Sequence, residues 1–93
     1  MGKRIMVYTK QKITPSIMEK LKKFMPSDKE ITLGNYALDF SRTYKIRKIT
    51  PSSIIAEYDG RRVLIKVEKW TDNISSQYVV FTEGRRFQEQ IKI

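Results

Sequence analysis

Asp59-Gly60 lies between two alternating runs, Ser53 to Tyr58 and Arg61 to Trp70, and no other feature of the 93-residue chain restricts its fold as much. An acid-glycine pair suits the two positive-φ positions of a type I′ turn, whose twist matches that of the strands it joins. A two-residue turn also sets the register: Tyr58 faces Arg61, Glu57 faces Arg62, Ala56 faces Val63, Ile55 faces Leu64 and Ile54 faces Ile65. One face then collects Ile54, Ala56, Val63, Ile65 and Val67 as core. The other carries Ile55, Leu64, Lys66, Trp70 and a complementary Glu57 and Arg62 pair. A slip of one residue would undo this sorting. The alternative is a helix over Pro51 to Asp59, capped by Thr50.

The rest of the chain can be built around that hairpin. Lys3 to Thr9 alternates and reads as a first strand, with Ile5 and Val7 on one face. Thr14 to Met25 has helical spacing instead. Thr14 with Pro15 at the first helical position, or Ser16 with Glu19, supplies the cap. Ile17, Met18, Leu21, Phe24 and Met25 form one apolar stripe, with Lys20, Lys22 and Lys23 outside it, and Pro26 ends the run. Gly34-Asn35 can turn the chain between Ile31 to Leu33 and Tyr36 to Phe40. Thr43 to Ile49 is a half-buried strand with Tyr44 and Ile46 inward. Gln77 to Thr82 is apolar on both faces, as in a central strand. Glu83-Gly84 then turns into Arg85 to Ile93, which sets Val80 opposite Phe87 and Phe81 opposite Arg86. The expected fold class is α+β: a single domain over 1–93, with one short amphipathic helix packed on a bent antiparallel β-meander or a small, partly open barrel.

Charge points to a class of partner. Nineteen Lys+Arg against ten Asp+Glu leave a formal charge of +9, which favours polyanions. Asp59-Gly60-Arg61-Arg62 and Glu83-Gly84-Arg85-Arg86 share one form. In an antiparallel meander alternate connections lie at the same end, so both turns are expected on one rim, with Arg42 starting from it as well. Guanidinium forks bind phosphate bidentately and stay charged. Arg61, Arg62, Arg85, Arg86 and Arg42 are therefore candidate phosphate contacts, supported by the Lys20, Lys22 and Lys23 face. Tyr58 and Trp70 are candidate base-stacking residues, a pattern that slightly favours RNA or single-stranded DNA. Each feature also has an ordinary structural use: arginines paired with turn acids, lysines on a solvated helix face, and aromatics in the core.

The chain has no Cys and no His. Disulfides, the usual zinc sites and histidine-dependent nucleophiles are thereby excluded. The acids are scattered rather than clustered for metal-dependent phosphodiester chemistry, and no cofactor is expected. The apolar run near Met6 is broken by Thr9 to Lys12, and no segment is long enough to span a bilayer, so a cytoplasmic location without membrane attachment is expected.

The order of strand, helical segment and antiparallel sheet, in a basic chain without His, resembles RelE-type toxin ribonucleases in architecture. Those toxins have a longer helical pair where this chain has one short helix, and no site residues carry over. A helix followed by a strand meander is also similar to Sm-like and SH3-like small barrels, many of which bind nucleic acid or protein. Nucleic-acid binding is the leading expectation. The alternatives are a metal-free ribonuclease, in which Arg, Lys and Tyr would handle the phosphodiester, and a module that binds an acidic protein or a second copy of itself.

Overall fold

A computed structural model describes residues 6–91. The described chain forms β1 (Val7–Gln11), α1 (Pro15–Leu21) continued by a 3₁₀ turn at Lys22–Phe24, β2 (Glu30–Asn35), β3 (Ser41–Ile49), β4 (Ile54–Tyr58), β5 (Arg61–Thr71), β6 (Ser76–Thr82) and β7 (Phe87–Ile91). Every strand pairing is antiparallel. Strands β2 to β7 close into a six-stranded barrel, so the fold is mostly β, with one small helix among the described residues. The closing seam between β2 and β7 is only two pairs long, Gly34 with Gln88 and Asn35 with Phe87.

The Asp59-Gly60 hairpin has the expected register at all five positions. Asp59 and Gly60 have φ of 51° and 74°, as a type I′ turn requires. Ile54, Ala56, Ile65 and Val67 are fully buried. Strand β5 outruns β4: its first half pairs with β4 and its second, Val67 to Thr71, with β1 along the same edge. The expected first strand is thus displaced toward the helix. Val7 is half exposed, and Lys3 to Ile5 lie outside the described residues.

Thr14 is the helix cap: its hydroxyl accepts from the Ile17 amide at 3.2 Å, and Pro15 occupies the first turn. The helix enters beside the β3–β4 connection, where the Ile13 amide donates to the Pro51 carbonyl at 2.7 Å. That is the barrel end opposite the Asp59-Gly60 turn. Ile17 and Leu21 reach into the same core as Ile31, Leu33, Tyr44, Val80, Phe87 and Ile91. The expected stripe is correct, and Met18, Phe24 and Met25 pack on the margin of this core.

Two turns differ from expectation. Gly34 and Asn35 continue β2, and Tyr36 to Phe40 form the loop instead. Gly34 serves close approach rather than turning. Its amide donates to the Glu89 carboxylate at 2.9 Å, and a Cβ there would lie 3.0 Å from Glu89 Oε2. The second hairpin closes at Thr82 and Phe87, with Val80 opposite Glu89 and Phe81 opposite Gln88. Its loop has four residues rather than two, because Glu83, Gly84 and Arg85 all take positive φ (52°, 66° and 67°). The displacement is by two residues, so each side chain keeps its expected face. Strand β3 bulges between Ile46 and Lys48, leaving Arg47 as the extra residue. No helix among the described residues is long and apolar enough to cross a membrane.

Candidate nucleic-acid interface

The Asp59-Gly60 and Glu83 to Arg86 turns do meet at one end of the barrel, together with the Tyr36 to Phe40 loop. An open cavity of about 460 Å³ lies among them, lined by Arg42, Arg61 and Arg86 against Glu83, with Tyr36 and Phe40 beside them. The five arginines expected on this rim have three different fates.

Arg42 is taken up within the fold. Its guanidinium is 4.3 Å from the ring centres of both Tyr58 and Phe87, and it donates to Glu83 Oε2 at 2.7 Å. The same carboxylate accepts the hydroxyl of Tyr44, which is fully buried. Cation, carboxylate and phenol therefore satisfy one another. Tyr58 is half-buried in this cluster, with its ring 5.6 Å from that of Tyr44. It stacks on Arg42 rather than standing free as a platform.

Arg85 points elsewhere. The left-handed backbone at this residue carries it to the outer face of β5 and β6. There it forms a fork with Glu68, at 3.0 Å and 2.7 Å. It also lies over the rings of Tyr8 and Phe81, at 4.7 Å and 5.0 Å. Trp70 belongs to this second cluster: its indole donates to Glu68 Oε1 at 2.9 Å, and its ring meets Tyr8 edge-on. Pairing of Arg85 with Glu83 is thereby replaced by a longer-range pair, and Trp70 is separated from the rim.

Arg61, Arg62 and Arg86 remain exposed. None of them forms an ion pair among the described residues. Arg62 stands opposite Glu57 in register, but the Glu57 carboxylate is held by the bulged Arg47, at 3.2 Å and 2.7 Å. That fork keeps the Glu57 carboxyl below its usual range. Lys20, Lys22 and Lys23 are exposed on the helix and 3₁₀ turn, and none lines the arginine cavity. Lys22 pairs with Glu19 at 3.1 Å.

Sequence reasoning missed Tyr36, Leu38 and Phe40, which are 69%, 62% and 46% exposed. Placing them in a strand hid them. Asn35 was the available signal, since its side chain accepts from the Ala37 and Leu38 amides, both at 2.9 Å, and so starts a loop. A second basic cleft, of about 540 Å³ along β3, brings Lys29, Lys45, Arg47 and Lys48 together against Asp28. None of the described residues that line it is aromatic.

The acid behaviour of Glu83 can be tested. Burial raises its pKa, but the hydrogen bonds from Tyr44 and Arg42, with the fields of Arg42 and Arg61, outweigh burial and hold it below the usual value. A carboxyl depressed in the folded state adds stability that is full above its unfolded pKa, about 4.3, and is lost as pH falls through the folded value. Urea midpoints between pH 6 and pH 2.5 are expected to fall less steeply for Glu83→Gln than for the parent. Parallel curves would show that Glu83 carries no such linkage. Burial and the same hydrogen bond also push the Tyr44 phenol upward.

Comparisons with protein-family models, curated proteins and solved structures gave no match.

Proposed function

We propose that the protein binds nucleic acid through phosphate contacts at the turn end of the barrel. One observation carries this reading: Arg61 and Arg86, both without ion-pair partners among the described residues, flank a single cavity beside exposed aromatic side chains. Unpaired guanidiniums bind phosphate without first breaking an internal salt bridge. The net charge of +9 draws polyanions toward the surface. Contacts of this kind position a strand and do not read its sequence. Arg62 extends the site along the outside of the Asp59-Gly60 hairpin, Arg42 supports it from within the fold, and Arg85, paired with Glu68 on the outer face of β5 and β6, takes no part in it.

Fluorescence anisotropy with labelled 12-nucleotide single strands, in EDTA at 0.1 M salt, tests the proposal. Saturable binding with the RNA recovered at full length is the expected result. Failure to bind any oligonucleotide would contradict it and favour an acidic protein partner. Shortened RNA would favour a metal-free ribonuclease.

A further inference from the structure

We infer that the Tyr36 to Phe40 loop is a base-stacking platform, so that the site takes single-stranded nucleic acid in preference to duplex. This rests on the phosphate-binding reading and specifies its ligand. Tyr36 is 69% exposed, yet its backbone is not loose. Its amide donates to the Arg86 carbonyl at 3.1 Å, and the Asn35 amide donates to the Phe40 carbonyl at 2.8 Å. With the two bonds accepted by the Asn35 side chain, these tie down both ends of the loop. Phe40 is held on one side by Phe87, edge-on at 5.6 Å, and stays 46% exposed.

A large apolar side chain held in water by a pinned backbone buries nothing within the fold, and the hydrophobic effect favours a partner that covers it. Charge selects which partner. The cavity beside the loop is lined by Arg42, Arg61 and Arg86 against Glu83, and because Arg42 and Glu83 pair with each other, the excess positive charge is that of Arg61 and Arg86. Asp39, within the loop, does not line the cavity. A ligand that offers a flat apolar face next to a phosphate fits both features, and an unpaired nucleotide has that form. In a duplex the base faces are already stacked on one another, leaving Tyr36 nothing to cover it. Stacking strengths for aromatic platforms correspond to about 5- to 150-fold in affinity per base.

Titrations of a labelled 12-nucleotide single strand and the matching duplex, at salt from 0.05 to 0.4 M, distinguish the possibilities. The single strand is expected to bind at least about tenfold more tightly than the duplex. Tyr36→Ala is expected to weaken single-strand binding about tenfold with the salt slope unchanged, because stacking releases no counterions. Tyr36→Phe is expected to restore it. An undiminished affinity in Tyr36→Ala, or equal binding of duplex, would overturn the stacking inference even if arginine variants still flatten the slope. If the parent binds no oligonucleotide, the phosphate-binding reading falls as well. Tyr36 is largely solvent-exposed, so the variant is expected to fold, as an unchanged urea midpoint would verify.

Discussion

Replacing Arg61, Arg62 and Arg86 together with alanine is expected to weaken single-strand binding about 100-fold at 0.1 M salt and hardly at all at 1 M. Each phosphate contact on a single strand releases about 0.7 of a counterion, which makes a contact worth about fivefold at 0.1 M relative to 1 M. Three contacts multiply to about 100-fold. The slope of log K against log salt should become shallower by about 2 units in the triple variant. Its urea midpoint should change little, because the three exposed arginines make no ion pair among the described residues. Arg42 and Arg85 provide the contrast. Their guanidiniums are already paired with Glu83 and Glu68, so Arg42→Ala and Arg85→Ala are expected to lower stability more than the salt slope. A loss in the triple variant that is equal at every salt concentration would contradict the assignment of phosphate contacts.

Tyr44→Ala is expected to cost about 4 kcal/mol of stability, the typical cost of removing a fully buried aromatic ring. A chain of this size has about 5 to 14 kcal/mol in all. Tyr44 has no exposed surface, its ring packs against Tyr58 and Phe87, and its hydroxyl reaches Glu83. It therefore joins the barrel core to the turn end. Tyr44→Phe keeps the ring and loses only the hydrogen bond to the Glu83 carboxylate, for about 2 kcal/mol. Urea unfolding of the two variants checks the difference. Equal costs would mean that the hydroxyl, and not the ring, dominates at this position.

The parts of the fold legible in the sequence were those determined locally. An acid-glycine pair between alternating runs specified the Ile54 to Ile65 register, and Thr14-Pro15 marked the helix start within the residues that bear the capping chemistry. The misread positions depend on distant partners. Gly34 resembles a turn residue, but its carboxylate partner Glu89 is 55 residues away. Arg85 looks equivalent to Arg61, yet three consecutive left-handed residues precede or include it, and its partner Glu68 lies on another strand. The candidate site was legible as a repeated turn at a common end of the meander, because antiparallel order alone places it there. Which arginines stay without an ion pair among the described residues was not legible. That depends on where Glu57, Glu68 and Glu83 point in three dimensions, and each takes a guanidinium other than its neighbour in sequence.

Backbone amide chemical-shift mapping, with a single-stranded 12-nucleotide oligomer titrated into the isotope-labelled protein, tests the location of the interface most directly. Shifts are predicted to concentrate at Tyr36 to Phe40, Asp59 to Arg62 and Glu83 to Phe87, the three segments that meet at one end of the barrel. Shifts confined to Lys20, Lys22 and Lys23, or to the Lys45 and Lys48 cleft on β3, would place the interface elsewhere and contradict it.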